Sequence, residues 1–244
     1  MSTNETISLA APLDELLDYA SQRFEVAFEP VSAGGHTLQV LQITNMIEYV
    51  ERIASHAGRD GIELPFWAKI WPSSVILAHM IGTLPKTDNA TLLEIGAGVG
   101  VCGLAAGAYG FESVITDINP DALIFSQINI LQNGLSDRVK VQRADFSEDR
   151  LGKRFNYIIG AEVLYIEKLH RGLAKFLNAH IKHEAEAQIL ISRDHKRKAM
   201  RFFKLIQQDF HQASKTIGCK TTEDGDTERF LCDVIRMTPR KLAG

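Results

Sequence analysis

The stretch that decides the fold runs from Leu92 to Gly110 and reads LLEIGAGVGVCGLAAGAYG. An apolar run stops at a glycine-rich turn, and a run of small residues suited to a closely packed helix follows. A strand that ends in such a turn and opens a helix is a setting in which backbone amides bind a ligand. Glycine permits that close approach because it has no side chain and tolerates left-handed backbone. The stretch predicts a strand–helix unit with a ligand-binding loop at Gly96, Gly98 and Gly100.

The spacing of these glycines disfavours one familiar ligand class, the nicotinamide dinucleotides. A G-x-G-x-x-G fingerprint that begins at Gly96 needs its third glycine at the position of Val101. A shifted match at Gly98, Gly100 and Gly103 begins two residues too late for the end of the strand. A nicotinamide-dependent dehydrogenase is therefore only a minor alternative.

Around the glycine stretch, strand-like and helix-like segments alternate, which predicts βαβ units and a parallel sheet. The predicted strands are 91–95, 113–116, 139–142, 157–160 and 189–192, with helices near 100–109, 120–133, 167–180 and 196–209. Two later strand candidates, 213–217 and 230–236, are joined by a polar segment too short for a crossover helix, so we expect them to be antiparallel. We expect an α/β fold: a Rossmann-like seven-stranded sheet, mostly parallel with an antiparallel C-terminal strand, and helices on both faces.

The residues before this core predict a smaller unit. The segments FEVAF (24–28) and TLQVLQI (37–43) alternate apolar and polar residues, and a glycine turn separates them, so a β-hairpin is expected after a short helix at 14–22. Residues 45–61 read as helix or loop.

A segment with two prolines and two tryptophans, Pro65 to Pro72, leads into the core. Ser73 is a candidate N-cap for a helix that reaches Ile81. We expect an N-terminal extension with a helix and a β-hairpin at 1–64 and a ligand-binding domain at 65–244, together one compact unit.

Composition narrows the functional classes. The 244 residues are 45% hydrophobic and 23% charged, which is typical of soluble globular proteins. A formal net charge of −3 provides no basic field, so no nucleic-acid partner is expected. The three cysteines form no disulfide framework, the N-terminus lacks the basic region of a secretory signal, and no apolar run approaches a membrane span. We expect a cytoplasmic location and no membrane contact.

An acidic residue follows the second strand of the predicted core. Asp117 stands 21 positions after Gly96. A carboxylate there can accept hydrogen bonds from both hydroxyls of a ribose. Asn119 and Pro120 form a favourable N-cap and first-turn pair, so the next helix is expected to start just past the acid. The sequence therefore predicts a ribose subsite at Asp117.

The pattern Glu94-x-Gly96-x-Gly98-x-Gly100 followed by Asp117 resembles the class I S-adenosylmethionine-dependent methyltransferases, over residues 65–237. Two further motifs narrow the resemblance: WPSS at 71–74, before the core, and GAEVLY at 160–165, after the fourth core strand. Together with the N-terminal hairpin they resemble the methyltransferase-like protein-lysine methyltransferases. The resemblance implies S-adenosylmethionine as cofactor, S-adenosylhomocysteine as product and a protein as substrate.

The resemblance also implies roles for individual residues in holding the cofactor. The glycine loop would hold the methionine end, Asp145 would accept from the adenine amino group, and Phe146 would lie on the adenine ring. Relatives often have tryptophan where Phe146 stands. The implied cofactor-binding set is Trp71, Glu94, Gly96, Ala97, Gly98, Gly100, Asp117, Ile118, Asp145, Phe146 and Ala161.

The same resemblance places catalysis at Glu162 and Tyr165. Glu162 would orient the incoming ammonium until water takes its proton, and Tyr165 would hydrogen-bond or pack against the substrate side chain. A carboxylate raises the pKa of a nearby amine, which makes a direct general-base role less convincing. Most lysine-methylating relatives have aspartate where Glu162 stands, and a histidine-methylating relative has glutamate. The choice between lysine and histidine as acceptor therefore stays open.

Other readings of the sequence remain. A small-molecule acceptor is one, although the N-P-P-Y/F motif of enzymes that methylate nucleic-acid amino groups is absent. A cofactor-binding module without catalysis is another. No metal site is expected, because His180 and His183 lack a third ligand nearby. The basic cluster Lys196–Lys198 reads as the solvated start of a helix, and Cys102 as a buried structural cysteine.

Overall fold

The computed structural model describes residues 7–56, 64–223 and 226–241 of the chain. The helices are α1 (Leu13–Ser21), α2 (Met46–His56), α3 (Pro72–Ile81), α4 (Val101–Ala108), α5 (Pro120–Gln132), α6 (His170–His180) and α7 (Met200–Ile206). The strands are β1 (Val26–Ala33), β2 (His36–Ile43), β3 (Thr91–Ile95), β4 (Glu112–Asp117), β5 (Val139–Arg143), β6 (Tyr157–Ala161), β7 (Gln188–Asp194), β8 (Phe210–Glu223) and β9 (Asp226–Pro239). Two 3₁₀ turns lie at Phe66–Ala68 and Glu167–Leu169.

The central sheet has seven strands in the order β5-β4-β3-β6-β7-β9-β8 within the described part of the chain. The strands from β5 to β7 pair in parallel, and β9 is antiparallel to both of its neighbours, β7 and β8. The predicted fold class is confirmed, including the antiparallel C-terminal strand. That strand lies inside the sheet, and β8 forms its edge.

Because the first five strands of this sheet are parallel, their carboxyl ends meet at one edge, which we call the carboxyl edge. The chain leaves β3 towards β4 on one side and later returns to β6 on the other. Such a reversal opens a crevice outside the carboxyl ends of the strands, where ligands of these folds bind. The glycine loop after β3 and Glu162 after β6 therefore stand on either side of this crevice.

The N-terminal hairpin, β1 with β2, forms a separate two-stranded sheet that packs on the core helices. The predicted hairpin is confirmed, with its turn at Gly34 and Gly35, whose φ angles are 54° and 96°. The amide of Leu41 donates to Asn129 Oδ1 on α5 at 2.7 Å. Leu16 on α1 and Val40 on β2 belong to the same buried cluster as residues of α4 and α5.

Several boundaries differ from the sequence-based expectation. Ser73 lies inside α3 and does not cap it, because Pro72 occupies the first helical turn and Trp71 is the N-cap. Helix α7 begins only at Met200 and is seven residues long. Of the segment 45–61, the described part contains α2, and residues 57–61 lie outside the described residues.

Strands β8 and β9 are each 14 residues long, far longer than the 213–217 and 230–236 expected from sequence. Polar residues, among them Gln212, Lys215 and Lys220, interrupt the apolar pattern of β8, so only its middle was expected from sequence. Continuous pairing with β9 from Phe210 to Glu223 supplies the backbone hydrogen bonds that propensity alone does not predict. β7 pairs with β9 only as far as Cys232, so the end of the hairpin extends past the carboxyl edge.

Candidate active site

In the glycine loop every second residue has a left-handed backbone, which accounts for the spacing of its glycines. Gly96, Gly98 and Gly100 have φ angles of 56°, 56° and 83°, in the left-handed region that strongly favours glycine. The loop is closed by backbone bonds at Ala97, whose amide donates to Thr116 O at 3.1 Å and whose carbonyl accepts from Gly100 at 3.0 Å. The loop is thus a hydrogen-bonded turn with backbone amides at the N-terminus of α4.

Asp117 ends β4 beside this loop and is almost fully buried. Its Oδ2 accepts from the Gly98 amide at 2.8 Å and its Oδ1 from the Asn119 amide at 2.9 Å. Burial raises the pKa of this carboxyl group, and the backbone hydrogen bonds partly offset the shift. A carboxylate offers about four lone-pair sites, so acceptor capacity remains after the backbone hydrogen bonds from Gly98, Asn119 and Ile118.

Asn119 caps α5 as the sequence indicated. Its side chain accepts from the amides of Asp121 at 2.9 Å and Ala122 at 3.2 Å, and Pro120 follows at the first helical position. The helix therefore starts immediately after the acid.

Glu94 is placed differently from the other members of the predicted cofactor-binding set. Its carboxylate lies beneath the loop, 2% exposed, and accepts from the amides of Cys102 at 3.2 Å and Gly103 at 2.6 Å. Burial raises the pKa of Glu94 to about 7. In this geometry Glu94 holds the first turn of α4 in place, and its membership of the cofactor-binding set stays a prediction.

Three residues of the predicted cofactor-binding set, Ile118, Asp145 and Phe146, follow β4 and β5 at adjacent positions of the carboxyl edge. Ile118 is 52% exposed although it is apolar. A Cβ added to Gly96 would lie 3.5 Å from the Phe146 ring, so that ring borders the glycine loop. Asp145 Oδ1 accepts from the amide and hydroxyl of Ser147 at 2.7 and 2.6 Å.

Trp67 and Trp71 have different surroundings. The Trp67 ring packs edge-on against Phe24 and Phe125, and its carbonyl lies so near Gly98 that an added Cβ would approach it to less than 3.0 Å. Trp71 is half-buried, and its indole N–H donates to Phe66 O at 3.1 Å. The segment 66–71 therefore crosses the glycine loop, and Trp67 anchors it.

Glu162 follows Ala161, the last residue of β6, and has a left-handed backbone with φ of 54°. This backbone conformation is uncommon for residues other than glycine and costs free energy. Such strained conformations occur often at functional sites. Oε1 accepts from the Asp194 amide at 2.7 Å. Oε2 is buried and accepts no hydrogen bond from the described residues, and an ion pair with Arg197 Nε lies at 3.4 Å.

Burial is the largest influence on Glu162 and raises the pKa of its carboxyl group above the ordinary value. The charge of Arg197 and the Asp194 amide offset part of that shift. The site therefore holds a desolvated carboxylate whose charge depends on a neighbouring cation.

Arg197 is the site residue that sequence reasoning missed. It belongs to the basic cluster that was expected to start a helix, yet α7 begins three residues later. Its guanidinium carbon lies 5.9 Å from the centre of the Tyr165 ring. Tyr165 is half exposed and also meets the Phe66 ring, with centroids 6.4 Å apart. No local sequence signal predicts the position of Arg197. Glu162 follows β6 and Arg197 follows β7, and only the pairing of these two strands brings the residues together.

The residues fit S-adenosylmethionine by the chemistry of their donor set. Left-handed glycines offer backbone amides, Asp117 has acceptor capacity left, Ile118 is an exposed apolar residue next to Asp117, and the Phe146 ring borders the glycine loop. Among residues 7–56, 64–223 and 226–241, no three His, Cys, Asp or Glu side chains are placed to hold a metal ion. No helix within these ranges combines the length and apolar character of a membrane span.

Comparison with known proteins agrees with this geometry. A family profile described as lysine methyltransferase matches residues 60–209. Protein N-lysine methyltransferase METTL21A from Danio rerio is 29% identical over 169 residues, which cover 65% of this chain and 76% of that protein. Calmodulin-lysine N-methyltransferase from Arabidopsis thaliana is 26% identical over 129 residues, which cover 49% of this chain and 42% of that protein.

Some relatives are matched over less of their length. Protein-lysine methyltransferase METTL21E from Mus musculus is 30% identical, and the alignment covers 41% of this chain and 46% of that protein. The chain thus spans about half the length of several curated relatives, 42% and 46% in two of them.

Solved structures share the fold at low sequence identity. The N-methyltransferase NodS from Bradyrhizobium japonicum, crystallised with S-adenosyl-L-homocysteine, has a TM-score of 0.55 at 14% identity and covers 81% of this chain and 100% of that chain. Precorrin-6y C5,15-methyltransferase from Geobacter metallireducens has a TM-score of 0.56 at 13% identity, over 67% of this chain and 87% of that chain. With a profile that matches more than half of its residues, the chain belongs to the lysine methyltransferase family of class I S-adenosylmethionine-dependent methyltransferases.

Proposed function

We propose that this protein transfers a methyl group from S-adenosylmethionine to a side-chain nitrogen of another protein, with lysine as the acceptor. The observation that carries the proposal is the buried Glu162 carboxylate, held in a strained backbone at the crevice next to the exposed Tyr165 ring. Relatives named as protein-lysine methyltransferases support the choice of acceptor.

On the cofactor side, we propose that the loop from Gly96 to Gly100 holds the methionine end and Asp117 the ribose. Asp145 and Phe146 would hold the adenine, and Ile118 and Ala161 would line its surroundings. When bound, S-adenosylmethionine supplies a methyl group on a sulfonium, which is already activated for direct displacement. The work left to the protein is to position the nucleophile and to desolvate it.

On the acceptor side, Glu162 would bind the lysine ammonium and orient it while a proton leaves to water. The free amine then has the lone pair that attack requires. Oε1 is fixed by the Asp194 amide, so Oε2 is the oxygen that points to the acceptor. The Tyr165 ring would pack against the lysine side chain, and the Phe66 ring lies beside it.

We also propose that the protein works in the cytoplasm. Its three cysteines are free thiols, and Cys102 and Cys232 are buried. Free cysteines fit a reducing compartment better than an oxidising one.

The first experiment measures radiolabelled methyl transfer from S-adenosylmethionine to a lysate depleted of its own copy, with protein, nucleic-acid and small-molecule fractions separated. We expect a discrete labelled protein band whose hydrolysate contains methyllysine. Methylhistidine would change the acceptor, and label confined to small molecules would replace the proposal with a small-molecule methyltransferase. No label despite cofactor binding would favour a module without catalysis.

A matched pair of variants ties the label to the site. Glu162→Gln keeps the size of the side chain and removes its charge, so we expect the labelled band to disappear. Glu167→Gln is the control, because Glu167 lies five residues away, is exposed and pairs with Arg201 at the surface. Equal loss in both variants would contradict a specific role of Glu162.

A further inference from the structure

Arg197 touches both side chains that the sequence predicts to be catalytic. Its Nε lies 3.4 Å from Glu162 Oε2, and its guanidinium carbon lies 5.9 Å from the centre of the Tyr165 ring. A carboxylate oxygen next to an aromatic ring is a favourable environment for an organic cation. The guanidinium therefore occupies the kind of site that a lysine ammonium would need.

The loop that carries Arg197 is held in place by several hydrogen bonds. The Arg197 amide donates to Asp194 O at 3.0 Å, and the Arg193 guanidinium donates to Arg197 O. Arg193 is itself paired at 3.0 Å with Asp233, a buried residue of β9. The hydrogen bonds of the loop therefore hold the backbone of Arg197 beside Glu162.

The two oxygens of Glu162 are held in unequal ways. Oε1 accepts a 2.7 Å hydrogen bond from the Asp194 backbone amide. Oε2 has only the longer ion pair with Arg197, whose side chain is 41% exposed. Glu162 is buried, so an unpaired Oε2 would be costly, but a cation that takes the place of the partly exposed Arg197 keeps the carboxylate paired.

We propose that Arg197 is an internal occupant of the acceptor-ammonium subsite and is displaced when the substrate cation enters. Two cations on one oxygen repel each other, so the substrate must replace the guanidinium. Arg197 thereby weakens acceptor binding. The proposal rests on the proposed function, because it assigns the Glu162–Tyr165 site to a cationic acceptor.

The test uses n-butylammonium chloride, which has the end of a lysine side chain, added to the full chain saturated with S-adenosylhomocysteine. Calorimetry measures its affinity for the wild type, Arg197→Ala, Arg197→Lys and Glu162→Gln, with n-butanol as the neutral probe. Arg201→Ala is the matched control, because Arg201 is exposed and pairs with Glu167 instead.

We expect Arg197→Ala to bind n-butylammonium at least about twofold more tightly than the wild type, because the guanidinium no longer competes for Oε2. Arg197→Lys and Arg201→Ala should stay near the wild-type value, and Glu162→Gln should abolish binding. Binding of n-butanol should not respond to any of these changes. Unchanged or weaker ammonium binding in Arg197→Ala would overturn the proposal, as would no ammonium binding in any variant.

Turnover separates this proposal from the proposed function. With an identified protein substrate, Arg197→Ala should lower KM and leave kcat unchanged, because only acceptor entry is affected. A fall in kcat at constant KM would mean that Arg197 positions Glu162, and would overturn displacement. If no protein is methylated but the ammonium result holds, the subsite stands and the proposed function fails.

Discussion

The amide of Gly98 donates a 2.8 Å hydrogen bond to Asp117 Oδ2, which joins the glycine loop after β3 to the acid after β4. The Ser126 hydroxyl on α5 donates to Gly98 O at 2.9 Å. The two proposed halves of the cofactor site, for the methionine end and for the ribose, therefore move as one unit.

Replacement of Asp117 tests the proposed role of this residue in binding the ribose of the cofactor. We expect Asp117→Ala to weaken binding of S-adenosylmethionine by about 1–3 kcal/mol, because buried amide and hydroxyl groups lose their acceptor. Isothermal titration calorimetry measures the change. Asp121→Asn is a suitable control, because Asp121 is an acid of the same region that pairs with Arg23 instead. Wild-type affinity in Asp117→Ala would contradict the ribose assignment.

A side chain at Gly98 should be more damaging than one at another left-handed glycine. An alanine Cβ would come closer than 3.0 Å to the Trp67 carbonyl. Gly134 has φ of 64° and nothing within 4 Å of an added Cβ, so Gly134→Ala carries only the backbone penalty, about 1–2 kcal/mol.

We expect Gly98→Ala to lose more unfolding free energy than Gly134→Ala, because the backbone of segment 66–71 must shift. Urea denaturation of the two variants gives the comparison. Equal losses in both would mean that the close approach to Trp67 does not exist in solution.

The left-handed backbone at Glu162 predicts a separation of stability from activity. Alanine and glycine both remove the carboxylate, so both variants should lose methyl transfer. Glycine also relieves the backbone strain, but it gives the unfolded chain more conformational freedom. The net expectation is that Glu162→Gly is more stable than Glu162→Ala by about 0.5–1 kcal/mol. Urea denaturation reports the difference. A less stable glycine variant would show that residue 162 is not left-handed.

Glu94 predicts a pH dependence of stability. Its pKa is about 7 in the folded protein and 4.5 when unperturbed, so the unfolded chain loses this proton first as pH rises. Ionisation therefore favours unfolding, and the stability present below pH 4.5 is lost progressively up to about pH 7. The shift corresponds to a loss of about 3 kcal/mol.

The measurement compares unfolding free energies of the wild type and Glu94→Gln from pH 4.5 to above pH 7. Subtraction removes the titration of the groups that both proteins share and that do not interact with Glu94. We expect the unfolding free energy of the wild type to fall relative to that of the variant as pH rises. A difference that does not vary with pH would contradict the raised pKa of Glu94.

Features set by local sequence could be predicted well. The strand Thr91–Ile95, the glycine turn after it and the Asn119–Pro120 helix start all follow from residue types within a few positions of each other. Glycine spacing has a simple physical origin, since every second residue of the loop is left-handed. The order of these elements sufficed to predict the sheet.

Features set by distant contacts could not be predicted. The carboxylate of Glu94 turns towards the amides of α4, and no pattern within the motif distinguishes that direction from one towards the crevice. Arg197 reaches Glu162 only because β6 and β7 are neighbours and the β7 loop folds back. The length of β8 depends on its partner β9 and not on its own composition.

The inner position of β9 has a consequence for the order in which the site is completed during synthesis. The glycine loop and Asp117 lie in one continuous stretch from β3 to β5, which is synthesised before β6 and the strands that follow it. Asp233, which holds Arg193 and through it the Arg197 loop, is made 40 residues after Arg193. A growing chain therefore contains the residues proposed to bind the methyl donor before it contains the residue that holds the acceptor side in place.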